Sequence, residues 1–203
     1  MSSDGSKLLV GTQGSEIYEL SAGDGRSLHP APLVSGHCAD ELWGLAMHPT
    51  QPKYYTAGDD KSIRAWDAQK RRLLSVTTLS TMTRAVAVSP DGKLVACGLG
   101  GRVGRGKCKG EGGLVVLKEA DLSVVHTAQD SQQWISDVKF SPDGATLAVG
   151  SHDNCIYLYK VAGHAAVPTF TLVLRLSLAI CRLKMVSITS LPPAPRLPLW
   201  LCR

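Results

Sequence analysis

Residues 4–20 read DGSKLLVGTQGSEIYEL, and residues 143–159 read DGATLAVGSHDNCIYLY; the two align without a gap at an offset of 139. Two further copies of the pattern lie between them. The better preserved opens on Gly36-His37 and closes on Ala65-Trp66-Asp67. Short strands recurring at a period of about forty residues, with GH near the start and WD near the end, are the signature of a WD-repeat β-propeller blade. A length of 203 residues suits one ordinary domain, whereas a seven-bladed ring needs roughly 280–300 residues. The fold expected is therefore all-β: a partial WD-repeat β-propeller of about three and a half four-stranded blades, followed by an irregular C-terminal tail.

The blades are expected near residues 1–30 (partial), 31–78, 79–127 and 128–161. In the second, Leu42, Leu45 and Met47 are expected to step inwards as strand a, His48-Pro49 to turn the chain, and residues 54–58, 63–67 and 72–76 to supply strands b, c and d. Ser-Pro-Asp-Gly turns at 89–92 and 141–144 mark the same point in the third and fourth copies. The turn prolines, Pro49, Pro90 and Pro142, are 41 and then 52 residues apart, and the extra length falls in residues 100–113, GGRVGRGKCKGEGG, seven of whose fourteen residues are glycine. Such a segment reads as a flexible loop between strands b and c. In the first copy Asp4-Gly5 already matches the a–b turn, so only strands b and c are expected there.

His37, Thr56, Asp60 and Trp66 fall where a polar network can form across a blade. Trp66 brings one indole N–H, Thr56 a hydroxyl, His37 two ring nitrogens and Asp60 a carboxylate acceptor. In series they would staple strands a, b and c. A catalytic Asp-His-Thr arrangement is the competing reading, but the repeat already explains the spacing.

Hydrophobic residues at 44% and charged residues at 19% are globular values. Of the 22 lysines and arginines, five lie after residue 161, where no acid occurs, and the rest balance the 17 acids. That neutrality gives no general nucleic-acid footprint. Two local basic clusters stand out: Arg102, Arg105, Lys107 and Lys109 in the glycine loop, and Lys61, Arg64, Lys70, Arg71 and Arg72 around the second blade. Both are candidate partner-binding surfaces, and solvated loop charges are the alternative. The six cysteines form no CxxC pair and no secretory signal opens the chain, which suggests reduced thiols inside the cell. There is no HExxH, no GxSxG and no Gly-Lys-Ser/Thr phosphate loop, so no enzyme activity, cofactor, metal or small-molecule substrate is expected.

Residues 162–203 are expected to be a non-repeat, variant or disordered tail. Within it residues 170–191 have the length of a membrane span, but Arg175, Arg182 and Lys184 interrupt them, at about 2.5–3.5 kcal/mol each at a helix centre. No membrane partner is expected. Outer blades lacking neighbours would expose apolar faces and make the product prone to aggregate.

The strings GHCADELWGLAMHP (36–49), DDKSIRAWD (59–67), QQWISDVKFSPDG (132–144) and LAVGSHDNCIYLY (147–159) resemble the echinoderm microtubule-associated protein-like family, as does KLLVGTQGSEIYEL (7–20). The resemblance covers roughly residues 2–161. It implies a pair of joined atypical propellers, preceded by a hydrophobic motif and often by a coiled coil. It also implies a non-enzymatic protein of the cytoplasm and cytoskeleton that binds tubulin and microtubules and organises the cytoskeleton. Neither the coiled coil nor the hydrophobic motif occurs in residues 1–203, so the expectation falls on the blades. A general protein–protein scaffold, or a truncated isoform with little activity of its own, is the alternative.

Overall fold

The structure, a computed structural model, describes residues 1–38, 41–101, 112–163 and 168–177. These residues form β-strands and turns with no helix, arranged as one three-stranded and three four-stranded antiparallel sheets. The partial-propeller class expected from the repeats is the one observed.

The first sheet holds β1 (Lys7–Gly11), β2 (Glu16–Ser21) and β3 (Val34–Ser35). The second holds β4 (Leu42–Met47), β5 (Lys53–Gly58), β6 (Ser62–Asp67) and β7 (Arg72–Thr78). The third holds β8 (Thr83–Val88), β9 (Leu94–Leu99), β10 (Leu114–Lys118) and β11 (Val124–Ala128). The fourth holds β12 (Ile135–Phe140), β13 (Thr146–Ser151), β14 (Cys155–Ala162) and β15 (Thr169–Ser177). In each four-stranded sheet the strands pair in chain order, so every connection is a hairpin.

The second, third and fourth sheets stack face to face. β4 and β5 pack on β8, and β8 and β9 pack on β12. The period-two alternation of a strand divides β9 between two cores. Val95, Cys97 and Leu99 face Tyr55, Ala57 and Ile63 of the second sheet. Leu94 and Ala96 face the other way, into the core with Ile135, Val149 and Tyr157. Covered on both sides, β9 is buried at all six positions. Glu119 adds a polar clasp between the second and third sheets, accepting from the Tyr55 hydroxyl at 2.6 Å and the Lys53 ammonium at 2.9 Å. Below them, buried His48 lies with Nε2 3.2 Å from the Gly92 carbonyl, while its Nδ1 accepts from the Thr50 and Gln51 amides. With Nδ1 accepting, Nε2 is the donor to the Gly92 carbonyl.

Three local expectations are corrected. Leu42, Leu45 and Met47 are 56%, 67% and 61% exposed rather than inward-facing. Gly44 and Ala46 face the third sheet instead, because space there is short: a Cβ on Gly44 would lie 2.9 Å from Val86 Cγ1 and 3.0 Å from Ala57 Cβ. The larger side chains of β4 take the face turned towards the first sheet, which meets the second mainly through β3 and β7 and leaves Leu9, Val10 and Ile17 exposed as well. The first sheet also holds a third strand, since β3 pairs Glu16 with Ser35 and Ile17 with Val34. Finally, the repeat does not stop at residue 161. β15 pairs with β14 along its length, from Ala162↔Thr169 to Cys155↔Ser177. Phe170 is buried there, 4.9 Å ring to ring from His126. The rest of the expected tail, residues 178–203, lies outside the described residues.

The third and fourth sheets approach closely at Gly98, where a Cβ would fall 2.4 Å from Ile135 Cγ2. Gly98→Ala should therefore destabilise the protein by about 1–3 kcal/mol through overpacking. A lowered urea midpoint with an unchanged slope is the expected reading.

Candidate partner-binding surfaces

The structure brings His37, Thr56, Asp60 and Trp66 into one chain of hydrogen bonds. The Trp66 indole N–H donates to Thr56 Oγ1 at 2.8 Å. Thr56 Oγ1 lies 2.8 Å from His37 Nε2, and His37 Nδ1 lies 2.9 and 3.0 Å from the two Asp60 oxygens. A carboxylate can only accept, so Nδ1 carries the proton and Nε2 accepts from the threonine hydroxyl. The four donors and acceptors run in one direction and end on Asp60. Ser62 adds its amide at 3.0 Å and its hydroxyl at 2.8 Å to Asp60 Oδ1. Burial would raise the Asp60 carboxyl, but the His37 and Ser62 donors offset it and hold the group below the ordinary carboxylate range. Glu119 follows the same logic: burial pushes it up, and Tyr55 and Lys53 bring it below its ordinary value.

The second-blade basic cluster does not form one patch. Arg64 is 7% exposed and lies inside the blade. Its guanidinium reaches Asp60 Oδ2 at 3.2 Å and Ser35 Oγ at 3.0 Å, and it also donates to the Ser35 carbonyl. The sequence reading of Arg64 as a surface cation is thus corrected: the Asp60 carboxylate draws it in, and it ties the first sheet to the second. Lys61 is exposed in the β5–β6 turn. Lys70 and Arg71 are exposed in the β6–β7 turn and Arg72 at the start of β7, at the other end of β6, about 20 Å away for six strand residues. Arg102, Arg105, Lys107 and Lys109 lie outside the described residues.

A further group was not picked out from the sequence. Arg84 sits with its guanidinium carbon 4.1 Å from the Trp43 ring and 5.2 Å from the Trp134 ring, and Trp134 stacks on His152 at 3.4 Å. Arg84 also pairs with buried Asp59 at 3.3 Å. The strip crosses three blades, and its outer member, Trp43, is 46% exposed. Local backbone explains the placement: Trp43 and Arg84 each occupy the bulge that opens strand a, between Leu42 and Gly44 and between Thr83 and Ala85. A bulge re-aims one side chain out of the sheet alternation. The legible signal was register, since both residues stand six positions before their turn proline.

Among the described residues no cluster of three or more His, Cys, Asp or Glu could hold a metal ion, and no helix is long and apolar enough to cross a membrane. Stacked four-stranded blades and the Trp66–Thr56–His37–Asp60 chain define a WD-type β-propeller module. The chain matches the family model of the echinoderm microtubule-associated protein second beta-propeller over residues 42–183. It belongs to the echinoderm microtubule-associated protein-like family. It is 38% identical over 157 residues to echinoderm microtubule-associated protein-like 2 of Homo sapiens, covering 77% of this chain and 22% of that protein. To the human like-3 protein it is 35% identical over 162 residues, 80% of this chain and 16% of the relative. To the like-1 protein of Rattus norvegicus it is 37% identical over 131 residues, 64% of this chain and 15% of the relative. The chain thus spans less than a quarter of the length of these relatives.

Three outcomes are expected of the buried polar groups. His37→Ala strands Thr56 and Asp60 and should cost about 1–3 kcal/mol, read as a lowered urea midpoint. Because Asp60 and Glu119 are held below their ordinary values, their contribution is complete above about pH 4 and is lost as pH falls through their lowered folded-state values. An Asp60→Asn variant should show a shallower acid-side decline in midpoint than the parent. Arg84→Ala, which leaves Asp59 buried and unpaired, should cost about 3–5 kcal/mol, more than Trp43→Ala in the same measurement.

Proposed function

We propose that this protein is a non-enzymatic, microtubule-associated interaction module that binds tubulin through its blades and acts at the cytoskeleton in the cytoplasm. Membership of a family whose named relatives are microtubule-associated protein-like proteins carries this reading. The surface chemistry supports it in kind: exposed cations lie in turns, where an acidic protein surface can reach them. The glycine-loop cations Arg102, Arg105, Lys107 and Lys109 and the turn cations Lys61, Lys70, Arg71 and Arg72 are the residues proposed to meet it. The family model begins at residue 42, and β1–β3 stack poorly on the sheets that follow. We therefore assign the first sheet to a neighbouring structural unit, joined to the blades by Arg64 and Ser35.

Co-sedimentation of the folded, monodisperse chain with microtubules tests this. Salt-sensitive pelleting that falls when Arg102, Arg105, Lys107 and Lys109 become Ala is the expected result. Folded protein that remains in the supernatant at low salt overturns it. Exposed Trp43, backed by Arg84, favours a second reading as a general protein-docking scaffold, because aromatic anchors at rigid positions dominate protein interfaces. Under that reading Trp43→Ala, not the removal of loop cations, abolishes partner capture.

A further inference from the structure

We propose that the end of the stacked blades formed by their a–b and c–d turns is a docking surface for an acidic polypeptide segment. The proposal deepens the tubulin reading and rests on it only for the source of that segment.

The argument starts from which charges at that end are free. Lys70, Arg71 and Arg72 stand at the β6–β7 turn, Lys93 in the β8–β9 turn, Lys118 at the end of β10 and Lys160 near the end of β14. All six are exposed, and each of the three stacked blades contributes at least one. Among them Lys93 alone makes an ion pair within the described residues, a loose 3.8 Å contact with Asp91. Arg71 holds a left-handed φ of 53°, a conformation that Gly or Asn adopts more readily. A cation stands there instead.

The acids at the same end hold local partners, although Asp91, Asp121 and Asp143 are themselves exposed. Asp67 Oδ1 accepts from the Gln69 and Lys70 amides at 2.9 and 2.8 Å. Asp91 accepts from the Ser89 hydroxyl and the Lys93 amide, and Asp143 from the Ser141 hydroxyl and the Ala145 amide. Glu119 is taken by Tyr55 and Lys53. These carboxylates, and that of Asp121, which accepts from the Ser123 amide and hydroxyl, close turns and stand among exposed cations that outnumber them. Between the 89–92 and 141–144 turns lies a cleft of about 430 Å³ that also admits Lys93, Phe140 and Pro168, room for a side chain of an extended segment. The opposite end is organised differently: Lys61 is exposed in the β5–β6 turn, and residues 102–111 of the β9–β10 connection lie outside the described residues. Arg64 and Arg84 are buried against Asp60 and Asp59, and Glu41 is exposed.

An acidic polypeptide fits this end better than a nucleic acid. Fixed carboxylates recur among the cations and would oppose a continuous phosphate backbone. No aromatic ring at that end is exposed among the described residues to stack a base. A chain of spaced carboxylates can place its charges against the lysines and arginines one blade at a time, in contacts that salt screens.

The test is fluorescence anisotropy of the full chain with a labelled ten-residue polyglutamate, at 50 and 150 mM salt. Binding should weaken at the higher salt and fall at least fivefold in K70E/R71E/R72E. A second variant, K93E/K118E/K160E, should lose a similar factor, while E41K, a charge reversal at exposed Glu41 of the opposite end, should change affinity less than twofold. Circular dichroism confirms that each variant is folded. Absent binding, an equally large change in E41K, no loss in either triple variant, or tighter binding of a single-stranded RNA than of polyglutamate each overturns the surface. Polyglutamate binding without microtubule pelleting keeps the surface and removes the tubulin reading. Pelleting without polyglutamate binding does the opposite.

Discussion

Everything in this protein depends on covering both faces of a sheet. A four-stranded blade is one pleated layer, and its alternating side chains leave two faces that need burial or solvation. The third blade meets the condition fully, with Val95, Cys97 and Leu99 on one side and Leu94 and Ala96 on the other. The close approach that makes this possible is set by missing side chains, at Gly44 on one interface and Gly98 on the other. The second blade is covered unevenly on its other face, where Thr56, Arg64 and Trp66 are buried but Leu42, Leu45 and Met47 of β4 stand exposed.

Within a blade, polar satisfaction does what stacking cannot. The Trp66–Thr56–His37–Asp60 chain crosses strands b and c and the segment leading into strand a. Arg64 extends it to Ser35 in the first sheet. One carboxylate thus organises the inside of the second blade and its attachment to the preceding sheet, with donors drawn from the segment before strand a and from strand c. The third and fourth blades have Leu117-Lys118 and Tyr159-Lys160 at the Trp-Asp position. In the fourth, tyrosine hydroxyls take over: Tyr159 donates to Asp130 at 2.8 Å and Tyr157 to Asp153 at 2.6 Å.

Much of this was legible in the sequence, and the exceptions share a cause. Repeat spacing revealed the strands, the turns and the positions of His37, Thr56, Asp60 and Trp66, because those depend on local order and a fixed period. What depended on the neighbour across an interface was misread. Leu45 and Met47 alternate as core residues do, and only the bulk of Val86 opposite decides that Gly44 takes the buried face. Arg64 lies in a run of surface-looking charge, yet buried Asp60 captures it. β15 lacked a recognisable signature because residues 169–177 are apolar at both alternations and no Ser-Pro-Asp-Gly turn announces them. The Trp43–Arg84–Trp134 strip joins residues from three repeats, which no single repeat displays.

The double covering of the third blade also bears on how the chain emerges during translation. At about 5–20 residues per second, residues 83–128 leave the ribosome before anything can cover their second face. Ile135 must arrive to meet Gly98, and Phe170 must arrive to meet His126. For several seconds of synthesis the central layer is a half-clad sheet with Leu94, Ala96, Leu114 and Val116 open to water or to any sticky neighbour. Synonymous codons that slow elongation between residues 128 and 170 lengthen that window, and a holding chaperone that shields apolar strands shortens its effect. The most fully buried layer of the finished protein is thus the most vulnerable one while the protein is being made.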